Sequence, residues 1–191
     1  MRAHQRNPKR VYIFDTTLRD GEQATFGAID GINSKLIIAK SLADAGIDRI
    51  EDGFPVSSEK DYEAVSTIAK NVNGPVIFGL ARSNPDEVTR TYDAVRHTQY
   101  PGIHVFSIMF DEKCLEFYNQ TKDKVIEDGV RAVERARKLV GDLGQVEFSF
   151  QTATTAPIEW LIEGYGKMIQ AGANVINIPD TVGYSEPEEV E

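Results

Sequence analysis

The feature that most constrains this chain is one repeated pattern: a short apolar, β-branched run followed by an amphipathic stretch, recurring at roughly 30-residue intervals. The runs are Val11–Asp15, Asp48–Asp52, Pro75–Leu80, Ile103–Ile108, Val146–Phe150 and Asn174–Ile178. Most read as near-continuous apolar segments, as strands covered on both faces do. The intervening stretches carry helix punctuation. Lys35–Ala45 follows Asn33 and Ser34 as caps and stops at Gly46, a residue type favoured just past a helix end. Asn84-Pro85-Asp86-Glu87 places a cap, a first-turn proline and two acids at a helix start, where the dipole favours negative charge. Thr121–Leu139 and Pro157–Ala171 read as further helices, the latter stopping at Gly172, and Ser185–Glu189 as the beginning of another.

Alternating strands and helices imply a parallel sheet, and two architectures compete for it. A doubly wound sheet normally has a glycine-rich turn after its first strand, whereas here Thr16-Thr17-Leu18-Arg19-Asp20-Gly21 occupies that position. A barrel of eight strand–helix units takes about 250 residues. The 191 residues of this chain then hold about six. The expected fold is therefore α/β, a (β/α)8 TIM barrel that is incomplete in this chain. Residues 1–10 read as a flexible basic arm, and 11–191 as a partial barrel domain. Because an open barrel exposes two strand edges, a homo-oligomer, a partner chain or a longer parent chain is expected to complete it.

Composition narrows the function. A content of 41% hydrophobic and 27% charged residues is that of a globular domain and not of a disordered one. The net charge of −9 repels phosphate backbones and anionic membranes, so no nucleic-acid or membrane partner is expected. No apolar run approaches the ~18 residues of a membrane span. Residues 1–10 lack the apolar stretch of a secretory signal, and a cytoplasmic location is expected. Cys114 is the only cysteine, which excludes an intrachain disulfide and a multi-cysteine zinc site.

In a parallel barrel the active site lies at the C-terminal ends of the strands. Reading those ends gives Asp15, Arg19, Asp20, Glu51, Asp52, Arg82 and Asp111. Ser149, Gln151, Thr152, Asp180 and Thr181 follow, with His104 at the opening of the fourth strand. Asp15 and Asp180 also read as loop or helix caps, Arg19-Asp20 as a surface ion pair, and His104 as a core histidine. Carboxylates suit a hard divalent cation, and an arginine among them can grip a carboxylate or enolate through two parallel hydrogen bonds. Together they suit enolate chemistry on a keto acid.

Three segments carry a resemblance. Phe14-Asp15-Thr16-Thr17-Leu18-Arg19-Asp20-Gly21-Glu22-Gln23 resembles the first-strand signature of the 2-isopropylmalate, citramalate and homocitrate synthases of the DRE-TIM metallolyase superfamily. Ile50-Glu51-Asp52-Gly53-Phe54-Pro55 is similar to that family's second-strand end, which normally has Ala at the place of Asp52. Asn177-Ile178-Pro179-Asp180-Thr181-Val182-Gly183-Tyr184 is similar to its sixth. The resemblance implies a metal-dependent Claisen-type condensation of acetyl-CoA with a 2-keto acid, as in amino-acid biosynthesis. A divalent Mg, Mn or Zn ion would polarise the keto group as a Lewis acid. It also implies roles by position. Asp20 would be a metal ligand, and Arg19 would stabilise the enolate or the keto carbonyl. His104 and Ser149 would line the keto-acid pocket with Gln23 close by, and Thr181 would bind the substrate carboxylate.

The sequence departs from the family in three further places. Where the fifth strand ends in Ser-x-Glu-Asp, with a catalytic glutamate, this chain has Ser149-Phe150-Gln151-Thr152. Gln151 at the catalytic position hydrogen-bonds but carries no ionisable proton. Where the family often shows Ser-Asp-x-His after the fourth strand, the run here is Phe110-Asp111-Glu112-Lys113. The family's His-x-His metal pair has no counterpart among His4, His97 and His104. With Asp20 alone, strong metal binding is not expected. The leading expectation is thus a synthase-like acyltransferase. The alternatives are a non-catalytic relative used for ligand binding or assembly, and a lyase of the same superfamily.

Overall fold

The computed structural model describes residues 10–24, 26–108, 112–183 and 185–190. Most of the expected N-terminal arm, and the candidate Asp111, lie outside the described residues. Six parallel strands form one sheet in chain order: β1 (Phe14–Asp15), β2 (Arg49–Gly53), β3 (Val76–Arg82), β4 (Pro101–Ser107), β5 (Gln145–Phe150) and β6 (Val175–Asn177). The helices between them are α1 (Ile32–Asp44), α2 (Glu59–Asn71), α3 (Pro85–Val95), α4 (Glu112–Phe117), α5 (Lys122–Val140), α6 (Ile158–Ala171) and α7 (Pro187–Val190). The parallel ladder is the one expected of a partial barrel. Among the described residues no helix is long and apolar enough to cross a membrane.

The sheet is curled. In a flat sheet β2 and β5, three strands apart, would be separated by roughly 14 Å, yet Arg49 Nε donates to Gln145 Oε1 at 2.7 Å across the concave face. That face is the lumen. Period-two alternation of side chains divides each strand between the lumen and the helix layer. On β5, Val146, Phe148 and Phe150 enter the larger apolar core with α3, α5 and α6, while Gln145, Glu147 and Ser149 are buried polar groups on the opposite face. On β2, Ile50 joins a second core with Ala39 of α1 and Ile68 of α2, leaving Arg49 and Glu51 to the lumen. The expectation of near-continuous apolar strands therefore holds for β3 and fails for β2 and β5. Both faces are buried, but the inner one is polar because it is filled by hydrogen-bonded side chains. Below this layer the lumen is aromatic: Phe14 and Phe78 lie 5.1 Å apart. Gly102 leaves room for the Phe78 ring, which a Cβ would approach to 2.6 Å.

Local chemistry explains most boundaries. Asn84 Oδ1 accepts from the backbone of Asp86 and Glu87 at the start of α3, Thr121 caps α5 through Lys124 N, and Gly172 ends α6 in a left-handed conformation. α1 begins earlier than expected. Gly31 is its N-cap, and Asn33 and Ser34 lie inside the first turn without capping it. β1 is shorter than expected because the Asp48 carboxylate, ion-paired with Arg10, takes the Ile13 N–H at 3.0 Å. His104 sits mid-strand, in register with Leu80 and Glu147, and not at the strand opening.

Candidate functional site

The lumen side chains form a continuous hydrogen-bonded chain. After β1 the backbone enters a five-residue π-helical turn, Thr17–Gly21. Asp15 fixes its start by accepting from Thr17 N and Oγ1 at 3.0 and 3.1 Å, and Leu18 anchors its middle in the second core. The turn thereby aims Arg19 at β2. There Nε and Nη2 both donate to Glu51 Oε2 at 2.6 Å, and Nη1 pairs with Asp20 at 2.7 Å. The other oxygen of Glu51 accepts from His104 Nδ1 at 2.6 Å. His104 Nε2 meets Ser149 Oγ at 2.7 Å. A second carboxylate, Glu147, lies 3.7 Å from the same Nδ1 and accepts from Asn177 Nδ2 at 2.9 Å. Glu51 and Glu147 are fully buried, and His104 is 3% exposed.

These distances set the protonation states. Burial pushes the Glu51 carboxyl up, but His104 and then Arg19 outweigh it and hold the group below the usual carboxylate range. Burial pulls the His104 imidazole down, but Glu51 and then Glu147 outweigh it and hold the ring above the ordinary histidine value. Glu147 is pushed up by burial, against the opposing pull of His104. Glu51 is thus the ionised partner and His104 the group that keeps a proton.

The structure joins some sequence candidates and separates others. Arg19, Glu51, His104 and Ser149 are contiguous. Gln23 and Arg19 line a small cavity of about 240 Å³ with Leu18, Gly53 and Phe54. Gln151 and Arg82 line a larger one of about 620 Å³ over the ends of β3–β5, together with Phe106, Ile108 and Tyr118. Arg82 Nη1 is held by Glu87 at 3.0 Å and lies over the Phe54 ring. Thr181 Oγ1 accepts from Thr152 N at 3.0 Å, which ties the β5 and β6 ends together. Asp180 accepts from Thr154 Oγ1 and Ser185 N, as a loop cap does. Asp52 faces away from the site. It follows Glu51 by one residue and so points into the helix layer, where neither carboxylate oxygen has a hydrogen-bond partner. Burial raises its pKa well above the usual value. Glu147 escaped the reading of strand ends. The signal was the alternation Gln145, Glu147, Ser149, Gln151 against Val146, Phe148, Phe150. Asp20 is 68% exposed and engaged by Arg19. Among the described residues no group of three His, Cys, Asp or Glu side chains comes together to hold a metal ion.

A curled sheet of six parallel strands in chain order, with buried ionisable side chains on its concave face, defines an incomplete barrel scaffold of the TIM type. The chain belongs to the HMGL-like family, whose profile matches residues 10–191. Its relatives include the 2-isopropylmalate synthase of Pelotomaculum thermopropionicum, 45% identical over 181 residues, which cover 95% of this chain and 35% of that protein. The 2-isopropylmalate synthase of Acidimicrobium ferrooxidans is 46% identical over 179 residues, 94% of this chain and 34% of that protein. The chain thus spans about a third of the length of the curated relatives it matches. Among solved structures, the Bacillus subtilis HMG-CoA lyase superposes with a TM-score of 0.75 at 19% identity, over 96% of this chain and 62% of that one. At that identity the likeness concerns the fold.

Proposed function

We propose that this chain carries the keto-acid end of a 2-isopropylmalate synthase-like acyltransferase site, where the carbanion of acetyl-CoA adds to a 2-keto acid. The observation that carries the reading is the chain Arg19–Glu51–His104–Ser149, built from the first-strand signature and three further strands, β2, β4 and β5. Arg19 would stabilise the enolate or keto carbonyl. Thr181 would bind the substrate carboxylate beside Gln23, and His104 and Ser149 would line the pocket. The larger cavity suits the uncharged arm of an acyl thioester. Its walls mix apolar and amide groups, and its charges are already paired, Arg82 with Glu87 and Asp128 with Lys124 and Arg131. Gln151 at its edge can orient a carbonyl but not transfer a proton. A divalent cation is the cofactor of such chemistry. Asp20 would offer it one carboxylate.

The test is CoA release from acetyl-CoA with a panel of 2-keto acids, with and without Mg²⁺, Mn²⁺ or Zn²⁺. Release that depends on one keto acid is expected. Folded protein that turns over no pair would refute the reading and favour a non-catalytic relative, the alternative that Gln151 supports. Gln151→Glu restores an ionisable group where general acid–base catalysis contributes about 10²–10⁴-fold, and its expected effect is a rise in release of at least about tenfold.

A further inference from the structure

His104 is flanked by two buried carboxylates, Glu51 at 2.6 Å and Glu147 at 3.7 Å from Nδ1. One is already enough to orient the ring. The second is costly: Glu147 is fully buried, and its Oε2 has no hydrogen-bond partner. An unpaired buried polar atom costs about 1–3 kcal/mol. The groups acting on the ring are Glu51 from β2, Arg19 from the turn after β1, and Glu147 and Ser149 from β5, while Arg49 of β2 acts on Glu147 and β3 presents the apolar Leu80. Gln151, meanwhile, leaves the site without a proton donor at the end of β5.

We infer that His104 is the proton donor of the condensation, acting through Ser149 Oγ, and that Glu147 is a positioning residue that keeps His104 charged for that step. The inference rests on the acyltransferase reading and adds to it the source of a proton. When the acyl α-carbon bonds to C2 of the keto acid, the carbonyl π pair moves onto oxygen. The Ser149 hydroxyl proton passes to that oxygen, the Nε2 proton of His104 replaces it on Ser149, and the imidazolium becomes neutral. The product is the tertiary alcohol, and a solvent proton recharges the ring. The raised pKa of His104, set by Glu51 and Glu147 against the effect of burial, agrees with a ring that carries this proton at neutral pH.

The test has two arms. The chain has three histidines, so imidazole NMR resonances of the labelled 191-residue protein can be assigned by single substitutions and titrated without any turnover. His104 is expected to titrate above the ordinary histidine value, and Glu147→Gln is expected to move it to lower pH. Should Glu147→Gln unfold, Asn177→Ala withdraws the donor from Glu147 and is expected to move the midpoint in the same direction by less. In the second arm, the basic limb of the CoA-release profile shifts to lower pH in Glu147→Gln. The rate falls about tenfold at pH 8 and stays near wild type at pH 6. A His104 midpoint unchanged in both variants overturns the inference. So does CoA release whose basic limb is unmoved, and there the acyltransferase reading survives alone. No release with any keto acid, in protein whose His104 titrates as described, removes the reading and the inference together.

Discussion

Glu51 and Asp52 are neighbours in sequence with opposite fates. The pleat of β2 turns Glu51 into the lumen, where Arg19 and His104 satisfy it, and Asp52 into the helix layer, where neither oxygen is paired. Burial raises the Asp52 pKa against the pull of Lys35, so the folded state holds its proton more tightly than the unfolded chain. Stability from this group is then full below the unfolded value of about 3.9 and declines as pH rises toward the folded value. Asp52→Ala is expected to stabilise the protein by about 1–2 kcal/mol near neutral pH, with the gain shrinking toward pH 4. Urea midpoints measured between pH 4 and 8 would show it, and a constant gain or a loss would refute it. The same pleat explains what the sequence disclosed at this scale. Arg19 and Ser149, which the structure joins to Glu51 and His104, could be picked out because a continuous signature and a strand end mark them. Glu147 could not, because it lies mid-strand and only its alternation with Val146 and Phe148 distinguishes it.

At the scale of elements, the turn that aims Arg19 is clamped from outside the lumen. Lys35 of α1 is buried. Its ammonium pairs with Glu22, immediately after the turn, and lies 3.6 Å from Asp61 of α2. Removing one partner of a buried ion pair costs about 3–5 kcal/mol. Glu22 and Asp61 keep about a quarter of their exposure, so a smaller loss is expected. Lys35→Met should cost about 2 kcal/mol in a denaturant titration, and Glu22→Met in the Lys35→Met background should cost little more, because the pair acts as a unit. Additive losses would mean that the contact is incidental. Local signals were good guides to elements wherever a side chain satisfies the backbone directly, as Asn84 and Thr121 do. They failed where a distant group intervenes. The Asp48 carboxylate that delays the start of β1 is 35 residues from Ile13, and no window around Ile13 contains it.

For the whole molecule, the two flanks of the sheet differ from its middle. β3–β5 are covered on both faces, while β6 is only half-buried. Ile158, Ile162 and Ile169, which share one side of α6, are exposed, as are Val11, Ile13 and Ile37 at the β1 flank. Apolar surface at both flanks favours association. The chain is expected to sediment with concentration-dependent mass, and Ile162→Glu to lower that mass without changing the circular dichroism spectrum. A monomer at all concentrations would contradict this. The barrel class was legible because the repeat length and the absent glycine-rich turn depend on chain order alone. The polarity of the lumen was not, since it arises only when the curl brings Arg49 and Gln145 together across the barrel.

The strand order β1-β2-β3-β4-β5-β6 bears on how the molecule comes into being on the ribosome. Every strand pairs with the one made immediately before it, so each new unit finds its template already synthesised and waits for nothing farther along the chain. The exceptions are the lumen side chains. Glu51 emerges early, and its partner His104 follows 53 residues later. At a synthesis rate of about 5–20 residues per second, that carboxylate waits some 3–10 s for the imidazole. The scaffold can therefore assemble progressively, while its charged interior is settled late.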